Sequence, residues 1–334
     1  MVTSSDIESI AEGIRNRERR ALARAITLVE SARSDHRELA QALLADLALD
    51  GAQSTRIGLS GTPGVGKSTF IECFGTTMTE QGHRLAVLAV DPSSTVTGGS
   101  ILGDKTRMDT LARNPAAFIR PSPSGGSLGG VARRTRETIA LCEAAGFDLV
   151  IVETVGVGQS EIAVSRMTDI FLLLLAPAGG DELQGVKRGI MEIADLIVVN
   201  KADGDLKATA QRTRSDYAAA LRLMRRREGD AEGFPQAVTA SSIEGDGIAE
   251  VAALIVRLGD ARRASGFHDR RRQEQAVSWL QSALEVRLQS VFEQAVPCDA
   301  VESVQSAVRR GELPPEAGAE RLVDLYREAM RSPR

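Results

Sequence analysis

Two hydrophobic rhythms alternate along the middle of this chain. Short continuous apolar runs occur at Leu85–Val90, Leu149–Val152, Ile170–Leu175 and Leu196–Val199. Such runs, rich in Val, Ile and Leu and lacking polar alternation, predict parallel strands buried on both faces. Arg56-Ile57-Gly58-Leu59-Ser60 predicts another short strand, and Ala237-Val238-Thr239 a weaker sixth. Between them apolar residues recur every three or four positions, as at Phe70, Ile71, Phe74 and Met78, which is the spacing of a helix face. Strand–helix alternation from 54 to 261 predicts an α/β fold, a doubly wound and mostly parallel sheet with its ligand at the carboxyl ends of the strands.

Outside that range the helical rhythm stands alone. Residues 1–53 read as a helical N-terminal extension, capped by Ser4-Ser5-Asp6, continued through Ala21–Val29 and Leu39–Leu44, and ended by Asp50-Gly51. Residues 262–334 read as a helical C-terminal arm. Val277, Leu280, Leu284, Leu288 and Val291, with Trp279 nearby, form a coiled-coil-like stripe, and Pro314-Pro315 opens a last helix carrying Leu322, Val323, Leu325 and Tyr326. The stripe suits packing on its own domain or a dimerisation arm. Residues 92–130 are rich in Ser, Gly and Pro and read as a pair of loops ordered on binding, with Ile101, Leu102, Met108, Leu111, Phe118 and Ile119 as apolar anchors.

Composition narrows the class. The 334 residues carry a formal charge of −4, which argues against a general nucleic-acid binder. Arg225-Arg226-Arg227 and Arg270-Arg271-Arg272 read as solvated helix faces. Cys73, Cys142 and Cys298 are far apart, as are His36, His83 and His268, so no zinc ribbon is encoded and a reducing cytoplasm is expected. No run approaches the roughly 18–20 apolar residues of a membrane span. The N-terminus, with Asp6 and Glu8, does not read as a signal peptide.

The chemistry begins at Gly61-Thr62-Pro63-Gly64-Val65-Gly66-Lys67-Ser68, which matches the phosphate-loop pattern G-x-x-x-x-G-K-[ST] between a strand and a helix. Glycines let backbone N–H groups turn inward around a polyphosphate. Lys67 can reach the outer phosphates and the Ser68 hydroxyl can hold Mg²⁺. Gly61, Pro63, Gly64, Val65, Gly66, Lys67, Ser68 and Thr69 are therefore the expected phosphate contacts of a P-loop NTPase. Asn200-Lys201-Ala202-Asp203, after the strand ending at Val199, is an N-K-x-D motif. The Asp203 carboxylate can accept from guanine N1–H and the exocyclic amine, a donor pair that adenine lacks. The Lys201 stem can cover one face of the base, Asn200 can tie the loop together, and Ser241 and Ser242 can complete the pocket through backbone donors.

Two strand ends and the end of the Gly-Gly-Ser loop supply carboxylates. Glu153-Thr154-Val155-Gly156 stands where many such NTPases have D-x-x-G, so Glu153 serves the Mg²⁺ shell and Gly156 senses the γ-phosphate. Asp91 and Asp104 are further metal candidates. One Mg²⁺ seldom needs three carboxylates, so one of them can orient the attacking water instead. Gln159 is a water-positioning candidate, and Lys187 a source of positive charge for the transition state. The catalytic candidates are thus Lys67, Glu153, Gln159, Lys187 and Asp104.

Together with Gly61–Ser68 and Asn200–Asp203, several loop segments carry a resemblance. They are Asp91-Pro92-Ser93-Ser94-Thr95, Gly98–Met108, Arg120-Pro121-Ser122-Pro123, Glu153–Ser160 and Asp181-Glu182-Leu183-Gln184-Gly185. Over nearly all of 20–260 the chain resembles the MeaB family, also called ArgK, the GTPase chaperones of adenosylcobalamin-dependent methylmalonyl-CoA mutase. The resemblance implies a homodimeric GTPase using GTP/GDP and Mg²⁺, with slow hydrolysis stimulated by the mutase. It implies gating of adenosylcobalamin into that acyl-CoA mutase, with no cobalamin held tightly on this chain. It also implies switches at 91–104, 153–160 and 178–188. Val96 departs from an Arg expected in the family, and Arg188 replaces a usual Lys. Two other classes compete. One is a kinase of periplasmic amino-acid-binding proteins. The other is a nickel metallochaperone, disfavoured because a His-rich tract and a Cys pair are missing.

Overall fold

The computed structural model describes residues 4–31, 33–48, 54–90, 108–121, 128–154, 160–177 and 188–331. Helices α1 (Ser4–Arg15), α2 (Arg19–Glu30) and α3 (Ser34–Leu47) precede strand β1 (Thr55–Gly61). Then follow α4 (Lys67–Glu80), β2 (Leu85–Val90), α5 (Asp109–Arg113), β3 (Ala117–Pro121), α6 (Leu128–Ala144), β4 (Leu149–Thr154) and α7 (Ser160–Ser165). Next come β5 (Ile170–Leu175), α8 (Arg188–Ile193), β6 (Leu196–Val199), α9 (Lys207–Arg222), β7 (Gln236–Thr239) and α10 (Ile248–Ala264). The last helices are α11 (Phe267–Ala295), α12 (Cys298–Arg309) and α13 (Pro315–Arg331).

The strands form one seven-stranded sheet in the order β3-β2-β4-β1-β5-β6-β7, with each neighbouring pair parallel. The apolar runs behave as their composition demands: β1, β4, β5 and β6 are buried along their whole lengths. Parallel strands covered by helices on both faces leave no solvated side for polar residues. Under β1, α4 contributes Phe70, Ile71, Phe74 and Met78 to the core, with the two phenylalanine rings stacked 5.6 Å apart, and α10 adds Val251, Ile255 and Leu258. Because β1 lies between β4 and β5, the connections leaving it and its neighbours diverge. That opens a crevice at its carboxyl end.

Two expectations are corrected. The stretch read as loops contains α5 and the edge strand β3, in which Phe118 and Ile119 pair alongside β2 rather than anchoring a loop. At five residues ending in Pro121, this strand is short enough to be hidden by its Ser-, Gly- and Pro-rich flanks. The second correction concerns the arginine triplets. Arg225, Arg226 and Arg270 are exposed as expected, but Arg227, Arg271 and Arg272 turn inward to the amino edge of the sheet. Arg262 forks onto Asp195 at 2.6 and 3.0 Å, and Arg227 reaches the same carboxylate at 2.7 Å. Arg272 forks onto Asp169 at 2.6 and 2.7 Å, and Arg56 forks onto Glu143 at 2.7 Å through both nitrogens. Arg271 donates to the carbonyls of Thr168 and Ser165. Burial alone would push the Asp195 and Glu143 carboxyls up. The guanidiniums around them outweigh it and hold both below the usual carboxylate range.

The chain divides into two compact units, Met1–Arg272 and Gln273–Arg334. The three N-terminal helices belong to the first. In the second, α12 and α13 pair, with Val304 and Val308 against Gly318, and the Phe292 and Tyr326 rings lie 6.1 Å apart. Val277, Leu280, Leu284 and Leu288 of α11 are exposed, Leu280 at 69%. Among the described residues no helix is long and apolar enough to cross a membrane.

Candidate nucleotide site

The carboxyl ends of β1, β4, β6 and β7 bring the predicted residues to one edge. β1 runs straight into the glycine loop, and its last residue, Gly61, has no room for a side chain because a Cβ would collide with the Leu174 carbonyl oxygen. Gly64 and Gly66 turn the loop with φ of 80° and 93°, a region that glycine enters without steric cost. Gly66 is the N-cap of α4, so Lys67, Ser68 and Thr69 fall in the first turn of a 14-residue helix, where backbone N–H groups have no intrahelical acceptor. The positive end of that helix favours an anion. Lys67 Nζ donates to the Gly61 carbonyl at 2.9 Å, folding its ammonium back over the loop.

The motif at Asn200–Asp203 is physically stitched to this loop. Asn200, 1% exposed, donates from Nδ2 to the Val65 carbonyl at 2.9 Å, and Lys201 Nζ donates to the Gly64 carbonyl at 2.7 Å. Lys201 has φ of 58°, unusual for a residue with a side chain, and that turn starts its stem on the path to Gly64. A Cβ at Gly66 would sit 2.9 Å from Asn200 Nδ2, so the glycine makes room for the stitch as well as for phosphate.

On the other side the base-facing loop closes on itself. The Ser241 hydroxyl donates to Asp203 Oδ2 at 2.5 Å, and Glu244 N donates to the Ser241 hydroxyl at 3.1 Å. Ser242 donates to Asn200 Oδ1 from its backbone N–H at 3.2 Å and from its hydroxyl at 2.7 Å. Ser241 and Ser242 therefore use their backbone N–H groups inside the loop, since Ser241 N also donates to the Asp246 carbonyl at 2.8 Å. The Ser241 hydroxyl, not named from the sequence as a partner, holds the Asp203 carboxylate. An S-S step after the last strand was the only signal for it.

Glu153 is buried near the end of β4, in register with Leu59 of β1 and Ala89 of β2. Its neighbour Thr154 donates to the buried Ser60 hydroxyl at 2.9 Å, a tie that no sequence motif announces. Gly61, Pro63, Gly64, Val65, Gly66, Lys67, Ser68, Thr69, Glu153, Asn200, Lys201, Asp203, Ser241 and Ser242 thus lie on the carboxyl edge of one sheet. Asp91, Asp104, Gly156, Gln159 and Lys187 lie outside the described residues, as does Val96. Arg188 opens α8. Among the described residues no three His, Cys, Asp or Glu side chains could hold a metal by themselves.

The family model described as Methylmalonyl Co-A mutase-associated GTPase MeaB matches residues 22–296. A putative GTPase of Caulobacter vibrioides is 51% identical over 327 residues, covering 98% of this chain and 99% of the relative. GTPase ArgK of Escherichia coli is 49% identical over 285 residues, covering 85% and 86%. The mitochondrial methylmalonic aciduria type A homolog of Mus musculus is 47% identical, covering 96% and 80%. Among solved structures, that of a LAO/AO transport system kinase superposes with a TM-score of 0.76 at 38% identity, covering 98% of this chain and 99% of the other.

Proposed function

This chain belongs to the MeaB family of methylmalonyl-CoA mutase-associated GTPases, and from that membership we propose that its GTP cycle gates the loading of adenosylcobalamin into an acyl-CoA mutase. The chain is a P-loop GTPase, like the relatives it matches. The observation that carries the base assignment is the junction of the two motifs through Asn200 and Lys201, with Asp203 held by Ser241. That junction fits a ligand with polyphosphate at one end and a donor-bearing base edge at the other.

Mg²⁺ fits the donors offered. The Ser68 hydroxyl and the Glu153 carboxylate are hard oxygen ligands, and Mg²⁺ is usually held by one or two such groups plus substrate phosphates and water. When bound, the ion neutralises charge developing on the transferred phosphoryl group. In our reading Asp91 and Asp104 share the metal shell, Lys67 holds the outer phosphates, and Gly156 reports the γ-phosphate. Gln159 or a carboxylate orients water, and Lys187 adds positive charge when the partner docks. Cobalamin stays with the mutase, in a cytoplasmic pair. The exposed stripe of α11 forms the homodimer contact.

The test measures GTP turnover alone and with an adenosylcobalamin-dependent acyl-CoA mutase, methylmalonyl-CoA mutase first. Stimulated turnover, and cofactor transfer that depends on GTP, are expected. Unchanged turnover with every such mutase would overturn the reading. The kinase name of the similar solved structure favours a second reading, phosphoryl transfer to a protein. Label from γ-labelled GTP retained on an amino-acid-binding protein would establish that reading in place of the first.

A further inference from the structure

Helices α1, α4, α6 and α12 end in the same pair of backbone bonds. In α4, His83 N donates to the Met78 carbonyl and Gly82 N to that of Thr79. In α6, Phe147 N donates to Cys142 and Gly146 N to Glu143, and in α12, Glu312 N to Ala307 and Gly311 N to Val308. The turning residue in each is a glycine, with φ of 93°, 76° and 72°, because this ending needs a left-handed backbone. α1 closes in the same way, Glu18 N on the Gly13 carbonyl and Arg17 N on that of Ile14, both at 2.8 Å. Its turning residue is Arg17, at φ of 62°. A side chain in that conformation costs stability, so the arginine needs a reason.

The Arg17 guanidinium goes to the end of α6. It lies 3.1 Å from where a Cβ on Gly146 would stand, so that glycine makes room for it. Arg84 is the neighbouring cation, with Cζ 5.0 Å from the centre of the Phe147 ring. Burial, and then the Arg17 charge, push the Arg84 guanidinium down, and Asp148 only partly opposes them. The usual employments of such cations are closed. The last carbonyls of α6, at Leu141, Cys142 and Glu143, already accept from Ala145, Phe147 and Gly146. The Asp148 carboxylate is engaged by His83 Nδ1 at 2.9 Å and Arg84 N at 2.7 Å. Arg84 Nε is buried with no acceptor, and no acceptor among the described residues meets the Arg17 guanidinium. Arg262 and Arg272, by contrast, each fork onto a carboxylate. We propose that Arg17 and Arg84 form an anion site at the amino ends of β2 and β4 that takes a dianionic phosphate group, free or on a soluble monoester. Two guanidinium forks suit phosphate oxygens in both geometry and charge. The site lies at the opposite edge of the sheet from the phosphate loop and is independent of the GTP reading.

Isothermal titration of the full chain at pH 8 compares phosphate, glycerol phosphate and acetate, with GDP saturating the phosphate loop and chloride holding ionic strength constant. Wild type should bind phosphate saturably, and acetate more weakly. Arg17→Gly should weaken phosphate about tenfold or more, the factor for losing one charge-assisted bond. It should melt no lower than wild type in chloride, since glycine suits that turn. Arg17→Lys, a charge without a fork, should keep part of the affinity. Arg84→Met keeps a stem over Phe147 and should lose phosphate as Arg17→Gly does. Binding of glycerol phosphate as well as phosphate assigns the site to a monoester, and binding of phosphate alone assigns it to the free ion. No saturable phosphate binding by wild type, equal binding by Arg17→Gly, or acetate held as tightly as phosphate would overturn the proposal. A lower melt for Arg17→Gly in chloride would overturn it too, by showing that the side chain is kept for the fold.

Discussion

Replacing Asn200 by Ala tests whether the base motif builds the phosphate loop as well as reading the base. The side chain makes three hydrogen bonds, one to the Val65 carbonyl and two from Ser242. Asn200→Ala leaves all three partners unmatched where they are buried. At about 1 kcal/mol for each net bond, roughly 3 kcal/mol is at stake. The bond to Val65 orders the phosphate loop, so tripolyphosphate should lose about fivefold in affinity. GTP also needs the Ser242 side of the pocket, so its loss should reach about a hundredfold. Isothermal titration with both ligands separates the parts, and a thermal melt of the free protein reports how much of the cost falls on the fold. Asn200→Asp keeps the acceptor for Ser242 but sets a carboxylate against the Val65 carbonyl. It should therefore also impair tripolyphosphate binding. If either variant binds tripolyphosphate like wild type, the stitch does not pre-form the phosphate loop, and the reasoning fails.

Three other outcomes are expected. Asp203→Asn should weaken GTP strongly and improve relative binding of xanthosine triphosphate, whose extra carbonyl suits a donor amide; nucleotide competition reads this, and unchanged GTP affinity would remove Asp203 from the base pocket. Arg262→Met should cost about 3–5 kcal/mol in chemical denaturation, because Asp195 stays buried with less compensation. Since the arginines hold the folded Asp195 and Glu143 below their unfolded values, the stability they give is present above about pH 4 and lost as pH falls. The gap between variant and wild type should accordingly shrink in acid, and a constant gap would refute the ionic account. Leu280→Glu with Leu284→Glu should convert a dimer to a monomer by sedimentation, since both side chains are exposed in the single chain; a wild-type monomer would dismiss the dimer proposal.

What could be read from the sequence was what repeats locally. The strands β2, β4, β5 and β6 announced themselves because burial on both faces removes polar alternation, and the glycine loop because its spacing is set by backbone geometry. β3 was missed because Ala117–Pro121 is short and sits among loop-forming residues. The arginines were misjudged for a different reason. Arg272 and Glu143 are 129 positions apart, and Arg227 and Asp195 are 32 apart. A run of like charge looks the same whether it faces water or a carboxylate brought in by the fold. The hydroxyl tie between Ser241 and Asp203 was invisible for the same cause, although both residues had drawn attention singly.

The two edges of the sheet explain why the same residue types do different work in this chain. Asp169 and Asp195 stand just before β5 and β6, at the amino edge, where arginines from α10, α11 and the segment after α9 neutralise them. Asn200 and Asp203 stand just after β6, at the carboxyl edge. There the only cation in the motif, Lys201, points to a backbone carbonyl, and Asp203 is held by a hydroxyl. A carboxylate paired with a guanidinium has its acceptor lone pairs taken and its charge cancelled. One held by a single hydroxyl keeps lone pairs for an incoming donor. Position relative to a strand, and the partner that position brings, therefore decide which aspartates hold the fold and which await a ligand. The energetic asymmetry follows: loss of an amino-edge partner should register in unfolding, and loss of a carboxyl-edge partner in nucleotide affinity.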